Sequence, residues 1–294
     1  MKKYFSMLAM ATVLFASSCN KTTENVTLEN NETPITLSPE FAELQNSLYE
    51  LNQEMVPSFS ETRGWPRFPR WILFGLADGL GGLIGHVGTG SVSGGIQAGT
   101  EASTWAYEKL FPEEQYSESI NAFRPIESEF DSMIATLNDQ QAAQVGILHN
   151  YVIRKAYDEV GDSLFEMTPE EMEPVFMEAL PDEYRDDLPE TSVVSYDVQD
   201  FVYSPESGET TNEFIFGICE KYPEAAQEIL TVVPILEALD ASTSDKAALK
   251  YITRAMKMVE CSKVTAKSKS AILCGASVAF ESKMLWNIPE NQNN

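Results

Sequence analysis

Between Trp71 and Thr100 the chain reads WILFGLADGLGGLIGHVGTGSVSGGIQAGT, and the reading of this stretch decides the fold. Its one formal charge is Asp78, and it holds ten of the sixteen glycines of the chain. Many of them recur four residues apart, as Gly75–Gly79, Gly81–Gly85, Gly90–Gly94 and Gly95–Gly99. Positions four apart share a helix face, so such a run leaves a smooth groove that a second backbone can approach closely. Each glycine also costs a water-soluble helix about 1 kcal/mol against alanine. Either tight main-chain packing offsets that cost or part of the stretch is loop. The pattern predicts two short helices, near Trp71–Ile84 and Ser91–Leu110, broken around Gly85–Gly90.

Asp78, His86, Thr89, Ser91, Ser93 and Gln97 punctuate this apolar stretch and are costly in lipid unless they face another helix or water. They favour a hairpin packed inside the protein. The alternative, a segment that enters a membrane, rests on the flank Arg63-Gly64-Trp65-Pro66-Arg67-Phe68-Pro69-Arg70-Trp71. Trp65, Trp71 and the arginines border the glycines as interfacial anchors border a membrane segment. A blander reading makes the same flank a strap across the body, its arginines paired with acids.

The N-terminus carries an address. Lys2 and Lys3 precede an apolar stretch from Tyr4 to Phe15, which ends in small residues before Cys19: the three parts of a secretory signal, residues 1–18. The apolar run is short of the ~20 residues that span a bilayer. Ala16-Ser17-Ser18-Cys19 looks like a bacterial lipobox, with Ala16 where Leu is usual, and assigns lipidation to Cys19. Cleavage without lipidation is the alternative. In lipoproteins of this kind Asn20 after the cysteine implies export beyond the inner membrane, to the outer membrane or cell surface. Residues 19–37 are polar and lack an apolar period, so they read as a flexible tether between lipid and body.

Removing residues 1–18 takes Lys2 and Lys3 from the 20 basic residues and none of the 45 acids, which leaves a formal charge of −27. Nucleic acids need a basic face, so they are excluded as partners. The expected partners are the membrane, through the lipid, and an unidentified protein. Of the remaining cysteines, Cys261 and Cys274 sit near the facing ends of two expected helices and form the candidate disulfide. Closing so short a loop contributes ~3 kcal/mol in the chain-entropy model. Three reduced cysteines are the equal alternative, with Cys219 a buried thiol in either case. With no Cys-x-x-Cys spacing and two histidines, neither a metal nor a cofactor is expected.

The rest reads as helix after helix. Ser38-Pro39-Glu40 opens one whose Phe41, Leu44, Leu48, Leu51 and Met55 form a stripe, stopped by Pro57. Gln140 to Phe165 is the clearest helix, and Thr168-Pro169-Glu170-Glu171 is a capping box. Pro181 to Gly208 is loop-like, with a short extended piece expected within Ser192 to Tyr203. Its acids Asp182, Glu183, Asp186, Asp187 and Glu190 lack the glycine and alternation of a calcium loop and read as a solvated face. Helices return at Pro223–Leu239, kinked at Pro234, at Asp245–Cys261 and at Lys269–Trp286. The fold class is all-α, a helical bundle with a glycine-rich hairpin near its N-terminus: residues 38–110 hold the amphipathic helix, strap and hairpin, and 111–294 an acidic helical domain.

His149 beside Asn150 is the one candidate functional polar pair. Catalysis by histidine needs an orienting acid and a nucleophile within reach, and no motif supplies them, so a packed histidine beside Gly146 is the reading and no catalytic residue is nominated.

Taken in order, Cys19, Gly75 to Gly99, Gly146-Ile147-Leu148-His149-Asn150 and Ala271 to Trp286 resemble a family of uncharacterised lipoproteins from bacteria of the Bacteroidota type. The resemblance implies a surface or periplasmic lipoprotein and supplies no activity. The expectation is a lipid-anchored envelope protein with a non-enzymatic interaction or structural role; the alternative is a membrane-active or pore-assembling protein that uses the glycine segment.

Overall fold

The computed structural model describes residues 27–28, 35–55, 70–110, 120, 125–185 and 211–286. The chain divides into two compact units, Met1–Pro39 and Glu40–Asn294. In the first, Thr27–Leu28 pairs antiparallel with Ile35–Thr36, Leu28 opposite Ile35. The stretch expected to be wholly a tether therefore carries a small ladder, closed by alternating Thr and aliphatic residues that suit a strand. Cys19, Trp65 and the 192–203 piece lie outside the described residues.

The rest is all-α. The described residues form eleven α-helices. They are α1 (Pro39–Met55), α2 (Arg70–Thr89), α3 (Val92–Leu110), α4 (Pro125–Ile134), α5 (Gln140–Val160) and α6 (Pro169–Ala179), followed by α7 (Asp182–Arg185), α8 (Thr211–Lys221), α9 (Ala226–Asp240), α10 (Asp245–Cys261) and α11 (Ala266–Leu285). Local chemistry explains the ends. Asp139 accepts from the Ala142 N–H at 3.2 Å to start α5, and Ser244 does the same for Ala247 at 3.2 Å to start α10. In the capping box of α6, Glu171 accepts the Thr168 N–H at 2.9 Å.

Two expected boundaries move. α2 does not break near Gly85 but runs to Thr89, and the chain turns at Gly90, whose φ of 69° suits glycine alone. Side chains brace that turn: Thr89 Oγ1 donates to the Gly85 carbonyl at 2.7 Å, Ser91 Oγ accepts from the Gly94 N–H at 3.1 Å, and His86 Nδ1 meets the Ser91 carbonyl at 3.0 Å. The α5 helix ends at Val160, five residues before the expected Phe165, because Gly161 takes a φ of 63° and Gly161–Glu166 tightens into a 3₁₀ turn.

The core is built on the hairpin. α2 and α3 are each other's main partners, α11 packs on α2 and α5, and α3 rests on α5. Every residue of α11 from Ala271 to Ser282 is buried, so this part of the helix has no outer face. The glycines permit the contact. A Cβ on Gly85 would stand 2.3 Å from the Gly94 carbonyl oxygen, and one on Gly275 would stand 2.7 Å from that of Gly79. Among the described residues no helix is long and apolar enough to cross a membrane.

Candidate functional site

Three helices carry Asp78 into the centre of the bundle. Its Oδ2 accepts from Ser103 Oγ of α3 at 2.9 Å and from Ser282 Oγ of α11. Ser103 Oγ in turn accepts the Trp286 Nε1–H at 3.0 Å. Oδ1 has no hydrogen-bond partner, and the residue is wholly buried. Burial pushes this carboxyl well above the usual range, against the opposing pull of the two hydroxyl donors. Its burial therefore disfavours the charged form in the middle of the hairpin core. Tyr107 stacks 4.3 Å from Trp286 and 5.5 Å from Phe165, which closes the layer with aromatic rings.

A second buried layer joins α5 to α11. Asn150 Nδ2 donates to the Glu281 carbonyl at 2.9 Å and to Glu281 Oε2 at 2.8 Å. That leaves the Asn150 oxygen for His149 Nδ1 at 2.9 Å, so the network assigns the ring proton to Nδ1. His149 Nε2 makes no hydrogen bond of ordinary geometry, and the backbone at Gly99 lies beside the ring. Burial lowers its pKa to about 4, so the ring is neutral at pH 7. One turn earlier, the Gly146 N–H donates to Ser277 Oγ at 3.0 Å, and that hydroxyl donates to the Ala143 carbonyl at 2.5 Å.

The chemistry of this layer is that of a helix lock. A general base needs an exposed lone pair and a pKa near working pH; His149 is fully buried and far below it. The adjacent potential nucleophiles are not activated. The Ser277 hydroxyl donates to the Ala143 carbonyl rather than to a base, and the Cys274 thiol donates to the Gly82 carbonyl at 3.2 Å while burial raises its pKa.

A third constellation was not legible as a site. Pro234 lies inside α9 and lacks an N–H, which leaves the Leu230 carbonyl without its helical donor. Gln45 Nε2 of α1 supplies one at 2.6 Å. Seven residues on, Asn52 Nδ2 donates to the Pro234 carbonyl at 2.8 Å, and Asn52 Oδ1 accepts from the Tyr251 hydroxyl of α10 at 2.7 Å. At the rim, Arg254 grips Glu54 with two bonds of 2.6 and 2.8 Å, and Lys263 meets Glu43 at 2.8 Å. These rim pairs are exposed and contribute little alone. The signal for the clasp was an interior proline in an apolar helix together with two amides seven apart on a leucine stripe.

The structure separates the remaining candidates. Gly79, Gly81, Gly85, Gly94, Gly95 and Gly99 lie buried in the seam, Gly90 is exposed at the turn, and Gly75 is half-buried with open space around it. Trp71 falls within α2. The disulfide expected between Cys261 and Cys274 is not formed: Cys261 is exposed at the end of α10, while Cys274 points into the seam against Gly82 and Gly95. Cys219 is buried, its thiol pushed up to about 12 chiefly by burial. Of the acid cluster, Asp182 and Glu183 are exposed on α7; Asp186, Asp187 and Glu190 lie outside the described residues. Among the described residues no group of three or more His, Cys, Asp or Glu is placed to hold a metal ion.

Comparison with known proteins gives no match to a family model, to a curated protein or to a solved structure.

Proposed function

We propose that this chain is a lipid-anchored protein of the bacterial cell envelope, held at the outer membrane or cell surface through Cys19, with a non-enzymatic interaction or structural role. The observation that carries the non-enzymatic part is the use made of the core polar groups. Asp78, His149, Asn150, Ser277 and Cys274, drawn from α2, α5 and α11, each serve contacts between helices or within the buried seam. The anchor rests on Lys2, Lys3, the apolar stretch and the lipobox at Cys19. The body offers a partner an acidic outer surface: Asp158, Glu159, Asp162, Glu170, Glu171 and Glu173 are all exposed. A protein with a basic face is the fitting partner, since opposite potentials steer encounter and penalise wrong pairings.

Metabolic labelling with a palmitate analogue tests the anchor: label that disappears with Cys19→Ala supports it, and label that persists, or never appears, contradicts it. His149→Gln tests the role of the pair. Lowered thermal stability supports a structural histidine; an unchanged fold with a lost cellular phenotype supports an enzyme.

A second reading, insertion of the hairpin into a membrane, draws on the raised pKa of the Asp78 carboxyl and on the Arg and Trp residues that flank the segment. Dye release from vesicles at micromolar protein favours it, and silence there favours the interaction role.

A further inference from the structure

Charge is not spread evenly along this acidic chain. Residues 245–269 hold seven of the 20 basic residues and two of the 45 acids, Asp245 and Glu260. Within α10, Lys246, Lys250, Arg254 and Lys257 recur at steps of four, four and three, which sets them in a stripe on one helix face. The opposite face, with Tyr251, Ile252, Met256 and Val259, is buried in the bundle. The three lysines are exposed, and so are Lys263 and Lys267 at the turn into α11. Glu260 is committed elsewhere, its carboxylate accepting the Asn138 and Asp139 N–H groups at the start of α5.

The acids that reach this stripe come from α1. Glu54 grips Arg254 and lies near Lys250, while Glu43 meets Lys263 at 2.8 Å with Glu40 near it. Among the described residues Lys246, Lys257 and Lys267 enter no ion pair. Three exposed positive charges are therefore left unanswered on one side of a chain that is otherwise strongly negative.

We propose that the basic face of α10 docks on an anionic bilayer surface and sets the body's orientation on the membrane. This choice of occupant rests on the lipid-anchored reading and on where the chain enters the body. The segment that bears Cys19 leads into α1, whose opening residues Glu40 and Glu43 stand beside Lys263 at one end of the stripe. A body tethered there meets the bilayer with this side near it. Exposed acids such as Asp158, Asp162 and Glu173, on α5, the 3₁₀ turn and α6, are repelled by the same surface. Screening decides between the two effects. Charges more than a Debye length of about 8 Å from the headgroups interact weakly, so the docked lysines outweigh remote acids. An acyl anchor fixes the distance, and the stripe fixes which face turns inward.

Co-flotation with vesicles tests this on the mature chain, residues 19–294, carrying Cys19→Ala so that no acyl chain contributes. Vesicles of phosphatidylcholine with about one third phosphatidylglycerol are compared with phosphatidylcholine alone at ~0.1 M salt. Partitioning should be at least about tenfold stronger on the anionic vesicles and should be lost at ~1 M salt, where the screening length falls to ~3 Å. Each docked lysine tightens partitioning about fivefold, so Lys246→Gln with Lys257→Gln should weaken it at least about tenfold. Lys109→Gln with Lys221→Gln makes the same charge change on α3 and α8 and should alter it less than about twofold. Equal partitioning on both vesicle types, none on either, or equal losses in the two double variants overturns the proposal. Salt-sensitive self-association that needs Lys246 and Lys257, without vesicle binding, overturns it too and assigns the stripe to the acidic face of a second copy. The readouts do not use Cys19, so failure of the anchor shows as absent palmitate label and failure of the stripe as absent flotation.

Discussion

Gly146 on α5 faces Ser277 on α11 so closely that a Cβ at Gly146 would stand 2.3 Å from the Ser277 carbonyl oxygen. The Gly146 N–H donates to the hydroxyl of the same serine at 3.0 Å. Backbone meets backbone there with no room for a methyl group. Gly146→Ala, and likewise Gly85→Ala against the Gly94 carbonyl, should lower stability by ~3 kcal/mol or more in denaturant titrations. Gly75→Ala and Gly217→Ala, where a Cβ meets nothing within 4 Å, should instead raise it by up to ~1 kcal/mol. Equal effects at the two kinds of position would refute the close-packed seam.

Asp78 tolerates loss of its acidity but not of its oxygens. Asp78→Asn keeps an acceptor for Ser103 and Ser282, and should cost under ~1.5 kcal/mol because burial already disfavours the charged form of the carboxyl. Asp78→Ala strands two buried hydroxyls and leaves a void, at ~3 kcal/mol. Calorimetry on the pair of variants separates these outcomes.

Asn150 joins His149 to Glu281, and its removal leaves a buried carboxyl and a ring N–H without this partner. Asn150→Ala should therefore destabilise by ~3 kcal/mol or more, beyond what a surface asparagine would cost. Denaturant midpoints compared with a variant at the exposed Asn138 check it.

The pH profile of stability should slope downward above neutrality. Glu237 at about 7 and Asp240 at about 8 are raised acids, so their contribution is full below the ordinary carboxylate values and is lost as pH climbs through the folded ones. His149, lowered to about 4, acts oppositely: its contribution is full above the ordinary histidine value and is lost as pH falls toward 4. His149→Gln removes that opposing slope, so melting temperatures of the variant should rise more steeply on acidification from pH 6.5 than those of the parent. Parallel profiles would show that the ring is not buried neutral.

Periodicity made the bundle legible. The α1 stripe and the full span of α10, Asp245–Cys261, follow from spacing and caps that act locally. The hairpin was legible because glycines four apart have few uses other than close backbone contact. The end of α2 was misplaced because glycine content suggests a break wherever glycines cluster, while only Gly90 adopts positive φ in the turn. The Cys261–Cys274 pairing failed for a geometric reason: sequence separation says nothing of the direction in which Cys274 points, which is toward Gly82. The polar layers were half visible. His149 and Asn150 are neighbours in sequence, but Glu281, Ser103 and Ser282 join the layers only through tertiary packing. Gln45 stayed hidden because a lone glutamine on a helix ordinarily faces water.

Thiol labelling at Cys274, followed by peptide mass spectrometry on the folded full chain, tests the central claim that the glycine hairpin is sheltered in the core. Its sulfur sits against Gly82 and Gly95 with no exposure to solvent, whereas Cys261 is exposed. The account predicts that Cys261 labels at once and Cys274 only on unfolding. Labelling of Cys274 at the rate of Cys261 under native conditions would contradict it.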